Sequence, residues 1–199
     1  MTKQKDDEYK MKPSVYGVGY LGVGNYRARE ESKGMTKEYV MWTNMLSRCY
    51  GQPYRDNPIN STRYAECTVC DEWHNFQNFA KWCNEQPNFG KPRYALDKDM
   101  IDFGNLIYCP EKCCVLPSAV NNIIKMKEFK SHGYLPRGVF KNKANYHSSI
   151  GGKTKCSNDI QELRDWYVPR KKASVLAVAE QHKGEIPEIV YNNLLNWAP

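Results

Sequence analysis

The chain contains no apolar run approaching the roughly 18 residues that a membrane-spanning helix needs, so no such span is expected. Its opening stretch, MTKQKDDEYKMKPS, is charged and lacks the apolar core of a secretory signal, so export is not expected either. The eight cysteines therefore read as thiols or metal ligands rather than disulfides, because the cytosol keeps thiols reduced. Also missing is the setting that a dinucleotide cradle requires. The stretch GVGYLGVG spells G-x-G-x-x-G through Gly17, Gly19 and Gly22, yet DDEYKMKPS stands where a buried strand should precede it. NYRAREESKG stands where an amphipathic helix should follow. Glycine alternating with aromatic and β-branched residues predicts a twisted strand or hairpin instead.

What is present belongs to a globular protein. Of 199 residues, 41% are hydrophobic, 26% charged and 13% aromatic, enough to build cores from Trp and Tyr. That length suits two modules of about 100 residues each. The net charge of +7 is unevenly placed: residues 120–199 hold 13 Lys and Arg against 7 Asp and Glu, nearly all of the excess. A basic half beside a near-neutral half points to a polyanion partner, most simply nucleic acid.

Two aromatic helical stripes are legible. TKEYVMWTNMLSRCY predicts a helix capped by Thr36, with Tyr39, Trp42, Met45, Leu46 and Cys49 on one face. GQPYRDNPINSTRY reads as a loop. DEWHNFQNFAKWCNE predicts a second helix that buries Trp73, Phe76, Phe79, Ala80 and Cys83. Then comes ALDKDMIDFGNLIYCPEKCC, residues 95–114. It reads as a strand near Tyr94 to Leu96, a turn over residues 103–105 and a return strand near Leu106 to Tyr108, followed by a helix from Ser118 that buries Val120, Ile123 and Ile124. KEFKSHGYLP is the expected linker.

Beyond the linker, RGVFKNKANYHSSIGGKTK alternates like two antiparallel strands with Lys and Arg on the polar face, and CSND is too short for a third strand. Ser157 or Asn158 is the expected cap of DIQELRDWYV, which Pro169 should end. KKASVLAVAEQHK and PEIVYNNLLNW read as two further helices. Arg137, Lys141, Lys143, Tyr146, Lys153 and Lys155 fall on or beside the sheet. They form either a solvated basic face or a surface that enters a DNA groove, with phosphate contacts giving affinity and Arg137 reading a guanine edge.

The chemistry-bearing residues admit more than one reading. Asp97, Lys98 and Asp99 are either a charged strand end with a local ion pair or part of a metal site. Cys67-x-x-Cys70 is half a zinc site, and Cys109 with Cys113 or Cys114 would supply the other half. The alternative is thiols packed as small hydrophobes.

YVMWTNMLSRCY, CTVCDEWHNFQNFAKW and LDKDMIDFGNLIYCPEKCCVLPSAVNN together resemble bacteriophage HNH-type, homing-endonuclease-like proteins. LPRGVFKNKANYHSSIGGKTK with IPEIVYNNLLNWAP resembles the Apetala2-like DNA-binding module that such proteins often carry. The resemblance implies an α+β fold with a ββα-metal, HNH-like core and flanking helices, followed by a small antiparallel-sheet-plus-helix module. Its domains would be an N-terminal strand or hairpin extension over 1–33, a nuclease core over 34–128 and the DNA-binding module over 129–199. It implies Asp97 and Asn121, or its neighbour Asn122, as ligands of Mg²⁺ or Mn²⁺, with structural Zn²⁺ at Cys67, Cys70, Cys109 and Cys113 as a separate expectation. Lys98 stands where the family has its general-base His. A lysine is protonated at neutral pH, so Lys98 would stabilise charge on the phosphate while the metal, Asp99, His74 or His147 activates water.

The implied function is a phosphodiester-hydrolysing endonuclease that nicks duplex DNA in the cytoplasm of an infected bacterial host; a homodimer would cut both strands. A DNA-binding regulator that has lost catalysis on the same scaffold is the rival, and a phage protein that binds a host or defence protein is a third reading.

Overall fold

Thr36 opens the first long helix as expected: its Oγ1 accepts the amide of Tyr39 at 3.3 Å, and Glu38 sits in the positive first turn. Helix α1 runs Lys37–Tyr50 and buries Trp42, Met45, Leu46 and Cys49, the predicted stripe. It follows two short antiparallel strands, β1 (Arg29–Glu30) and β2 (Gly34–Met35). The computed structural model describes residues 8–57, 64–124, 135–142 and 145–198. The expected loop after α1 begins with a helical turn, α2 (Gln52–Arg55), and its residues 58–63 lie outside that description.

The second predicted helix is two. Helices α3 (Asp71–His74) and α4 (Phe76–Glu85) are separated by Asn75, which is extended and caps α4 by accepting the Gln77 amide at 3.0 Å. The break frees backbone groups that the N-terminal glycine segment takes up. Tyr20 N donates to the His74 carbonyl, and Phe76 N donates to the Tyr20 carbonyl, both at 2.9 Å. Here the glycines find their reason. A Cβ on Gly19 would lie 2.5 Å from Leu46 Cδ1 and 2.8 Å from the Trp42 ring, and one on Gly22 would lie 2.0 Å from Asn75 Oδ1. The motif is a strap laid tightly on α1 and α3–α4. Gln77 fixes it further, accepting from Tyr26 N and donating to the carbonyls of Leu21 and Tyr26.

Trp73, Phe76, Phe79, Ala80 and Cys83 are all buried, as the spacing predicts. Trp73 meets Phe79 edge-on at 5.0 Å, Tyr39 meets Phe76 edge-on at 5.5 Å, and Trp42 Nε1 donates to the Trp73 carbonyl at 2.7 Å. Such ring pairs add roughly 0.5–1.5 kcal/mol each beyond the area they bury.

The strands after this core pair differently from the sequence expectation. β4 (Tyr94–Asp97) is joined not to the stretch just after the turn but to β6 (Cys114–Pro117). The expected return strand, β5 (Ile107–Tyr108), pairs in parallel with β3 (Thr68–Val69). Three strands rather than two precede the helix, with β5 between the paired β4 and β6 in sequence and β6 running directly into α5 (Ser118–Ile123). What results is a mixed α+β protein of small open sheets and flanking helices. Its contacts divide it into two units, Met1–Leu116 and Pro117–Pro199, whereas the sequence places a boundary after residue 128. Residues 125–134, which include most of the expected linker, lie outside the described ones.

In the second unit three antiparallel strands form, not two, in the order β7 (Phe140–Asn142), β8 (Asn145–Ile150), β9 (Lys153–Ser157). Gly151 and Gly152, at φ of 58° and 74°, make the two-residue turn between β8 and β9, a backbone shape that glycine adopts without strain. Helix α6 runs Ile160–Gln181. Asp159, rather than Ser157 or Asn158, caps it, accepting the amides of Gln161 and Glu162. It continues through Pro169 and absorbs the next predicted helix. Proline there costs one backbone bond, to the carbonyl of exposed Asp165, which water can satisfy. Helix α7 (Glu188–Asn196) packs on α6, and the unit's core is Val139, Leu163, Val175, Ala179, Val190 and Leu194. No helix among the described residues is long and apolar enough to cross a membrane.

Candidate functional site

Asp97 ends β4 and is 5% exposed. Its Oδ1 accepts the amides of Asp99 at 2.9 Å and Met100 at 2.7 Å, an Asx-type turn that directs the chain out of the strand. Lys98 is 6% exposed. Its ammonium donates to Asp99 Oδ1 at 2.6 Å and to the Asn105 carbonyl at 2.7 Å. Burial works against the charge on Lys98, but the hydrogen bond and negative charge of Asp99 outweigh it and hold the pKa above the ordinary lysine value. Lys98 is thus an ammonium at neutral pH, as expected, with its donors turned inward.

Asn105 completes this network. The sequence reads it as a turn residue; the structure gives the turn's positive φ to Gly104 (85°) and buries the Asn105 side chain as a bracket. Its amide donates to the carbonyls of Lys98 and Ile107, and its Oδ1 accepts the Ile107 amide. Asp97, Lys98, Asp99 and Asn105 together close the loop between β4 and β5. The open groove of about 440 Å³ in this unit runs past α1 and the start of β4, lined by Met35, Val40, Met41, Phe89 and Leu96 among others. None of Asp97, Lys98 or Asp99 lines it.

Asn121 and Asn122 belong to the second unit, on α5. Asn121 is buried, with Oδ1 lacking a hydrogen-bond partner among the described residues, and Asn122 is exposed.

The metal expectations do not hold. Among the described residues, no three His, Cys, Asp or Glu side chains form a group that could hold a metal ion. For Mg²⁺ or Mn²⁺ at Asp97 with Asn121 or Asn122, the physical obstacle is local. Asp97 Oδ1 is committed to backbone amides, and Asp99, two residues on, is matched by an ammonium 2.6 Å away that repels a divalent cation. For Zn²⁺ at Cys67, Cys70, Cys109 and Cys113, the four thiols do not form one set: Cys109 lies near Cys70 and Cys113, whereas Cys67 sits with Lys98 and Asp99. Burial pushes all four thiols up, and Cys49 and Cys114 are pushed up to about 12 by the same cause. All eight cysteines are free, and most pack as small apolar groups.

Residues opposite one another across an antiparallel ladder point to the same face, which sorts the proposed DNA residues. Lys141 pairs with Tyr146 and Tyr146 with Ser157; Ser148 pairs with Lys155 and Ile150 with Lys153. This face is the one that α6 covers. Ser148 is fully buried on it, Lys155 reaches Glu162 of α6 at 2.6 Å, and Ser157 also donates to Glu162. Tyr146 and Lys155 are accordingly half-buried, while Lys141 and Lys153, near the strand ends, are exposed. Arg137 is exposed on the turn before β7, and Lys143 lies outside the described residues.

The opposite face carries Phe140, Asn142, Asn145, His147, Ser149, Thr154 and Cys156, and no Lys, Arg, Asp or Glu among the described residues. Phe140 and His147 meet there with their rings tilted at 38° and their centres 5.6 Å apart, both half-buried; the other five are exposed. The sequence hid this face because its residues look like turn and filler. The signal was Val139 and Ile150, apolar residues whose parity matches the lysines and marks the lysine side as the packed one.

Compared with family models, curated proteins and solved structures, the chain matches none.

Proposed function

We propose that this chain binds duplex nucleic acid through the uncovered face of the three-stranded sheet in its second unit, without metal-assisted hydrolysis of its own. The observation that carries the reading is that face itself: a three-stranded antiparallel surface, backed by α6 and exposed on its other side. It bears amides, hydroxyls, one imidazole and a central aromatic pair. Asparagine amides match the donor–acceptor edge of adenine, and hydroxyls bond either partner of a pair. A sheet of two or three strands is narrow enough to enter a major groove. The charge excess of residues 120–199 supplies phosphate contacts that carry affinity without sequence information.

Fluorescence anisotropy with labelled duplexes of varied sequence, repeated over a range of salt concentrations, tests the reading. Binding should weaken steeply with salt, and the Asn142→Ala and Asn145→Ala substitutions should narrow the difference between preferred and arbitrary duplexes. A plasmid incubated with the protein should stay supercoiled with or without added Mg²⁺. Absence of any salt-dependent association with DNA would remove the proposal.

A further inference from the structure

The parallel pairing of β3 with β5 ends on two cysteines. Thr68 stands against Ile107 and Val69 against Tyr108, so the next residues in register are Cys70 and Cys109. The backbone carries the register that far: Thr68 N donates to the Leu106 carbonyl at 2.9 Å, and Cys70 N donates to the Tyr108 carbonyl at 3.0 Å, the same bond two residues on. In a parallel ladder the matching bond would run from residue 110 to the Cys70 carbonyl. Pro110 has no N–H to give, and the Cys70 carbonyl instead takes the Trp73 amide at 3.0 Å and opens α3. The two chains part just beyond the pair.

Both cysteines are held by their backbones. Cys70 is tied through its amide to Tyr108 and through its carbonyl to Trp73, and the Cys109 carbonyl accepts the amides of Lys112 at 3.2 Å and Cys113 at 3.1 Å. Paired positions on adjacent strands lie about 4.8 Å apart. Disulfides join Cα atoms separated by about 4.4–6.8 Å, so this pair can be bridged without moving either strand. Side-chain direction agrees. Partners in register leave a sheet on the same side, and the side alternates along the strand. Val69 and Tyr108 enter the core, at 4% and 2% exposure, whereas Thr68 and Ile107 are exposed, and Cys70 and Cys109 share their side. These two thiols are half-buried, while the other five cysteines of the first unit are buried. Burial raises the Cys70 thiol and a charge on Cys109 raises it further, so the two sulfurs sense each other.

We propose that Cys70 and Cys109 are a redox pair, closing to a disulfide across the end of the β3–β5 ladder when a low-molecular-weight disulfide such as oxidised glutathione is in excess. The reaction is thiol–disulfide exchange. One cysteine, as its thiolate, attacks a sulfur of the small disulfide and expels a small thiolate. The other, as its thiolate, then attacks the protein sulfur of that mixed disulfide and expels the second. One S–S bond is lost and one gained, and the two thiol protons and two electrons end on the two small thiols. The closed bond spans residues 70–109, which hold α3, α4, β4 and the loop of Lys98 and Asn105, and so clamps the first unit. This inference does not rest on the nucleic-acid reading, which concerns the second unit.

The test uses the full chain, equilibrated in glutathione buffers from fully reduced to fully oxidised and quenched with an alkylating agent. Trypsin places the pair on two peptides, residues 64–81 with Cys67 and Cys70, and residues 99–112 with Cys109 alone. Mass spectrometry without reduction should find these peptides joined in the oxidised buffers, with Cys67 alkylated, and separate in the reduced ones. The oxidised chain should melt about 4 °C or more above the reduced chain. Cys70→Ser and Cys109→Ser should each lose the link and the shift, and Cys67→Ser should keep both. If a serine variant does not fold, the wild-type peptide map and melting shift still decide. No link in oxidised glutathione alone, or a link made through Cys67 or Cys113 instead, overturns the proposal. So does a Cys70–Cys109 link that lowers the midpoint, since the bond would then form only by distorting the ladder.

Discussion

The Lys98 ammonium donates to the Asn105 carbonyl at 2.7 Å, and the Asn105 amide donates back to the Lys98 carbonyl at 2.8 Å. This reciprocal pair turns the most chemically suggestive stretch of the chain into a closed loop. Removing the Asn105 side chain strands the buried Lys98 carbonyl and both backbone groups of Ile107, each costing on the order of 1–3 kcal/mol where water cannot reach. Asn105→Ala should therefore lose about 3 kcal/mol in urea denaturation while duplex affinity of the folded protein stays constant. A loss below about 1 kcal/mol would show that the loop is held by something else.

Stability should fall on the alkaline side. The Cys49 and Cys114 thiols are raised by burial to about 12, above an unfolded value near 9. The unfolded chain thus releases these protons first, and their stabilising effect is complete below about pH 9 and lost as pH climbs towards 12. Lys98, held above its ordinary value, acts in the same direction at higher pH still. Between these limits each thiol contributes a slope of about 1.4 kcal/mol per pH unit. The urea midpoint should be level from pH 7 to about 8.5 and then decline, and the Cys49→Ala, Cys114→Ala double variant should decline less steeply.

The glycine strap makes a third prediction. Gly19→Ala forces a methyl into Leu46 and Trp42, and overpacking of this kind costs about 1–3 kcal/mol. Gly22→Ala adds strain from a φ of 69° to a clash with Asn75. Gly17, where an added methyl would meet nothing within 4 Å, shares only the positive φ, so Gly17→Ala should be the mildest of the three in thermal denaturation.

These sites separate what the sequence discloses from what it hides. Helices α1 and α4 were legible because their apolar residues recur at helical spacing next to a capping side chain, and both signals are local. The break at Asn75 was not, because its cause is Tyr20, some fifty residues earlier, bonding into the gap. The partners of β4 and β5 were hidden for the same reason: β3 and β5 are two residues each and β4 and β6 four, too short for a pattern that names a partner distant in sequence. At the candidate site the residue types were visible but their directions were not. Asp97, Lys98 and Asp99 look alike on paper whether they face a ligand or one another, and here burial turns them onto one another and the neighbouring backbone.

Metal removal offers a fourth test. With no three His, Cys, Asp or Glu side chains grouped to hold a metal among the described residues and Asp97 Oδ1 bound to backbone amides, the fold should not depend on zinc or another divalent ion. Prolonged dialysis against EDTA and a zinc-specific chelator should leave the thermal midpoint unchanged. A structural thiolate site would instead show itself by unfolding, since its binding energy is folding energy.

The two faces of the three-stranded sheet give the sharpest contrast, because the sequence and the structure point to different residues. Lys155 looks like a DNA contact, but it lies on the helix-covered side and is matched with Glu162 at 2.6 Å. Asn145 looks like a turn residue, yet it is exposed on the open face opposite Asn142. If the open face meets the groove, Asn145→Ala removes a base contact of about 1–3 kcal/mol, roughly a 5- to 150-fold loss on the preferred duplex, and spares affinity for arbitrary sequence. Lys155→Met should leave both affinities within about twofold, since the charge it removes is already matched inside the protein. Measured by anisotropy at fixed salt, the reverse ordering would place the nucleic acid on the other side of the sheet, where α6 leaves it no room.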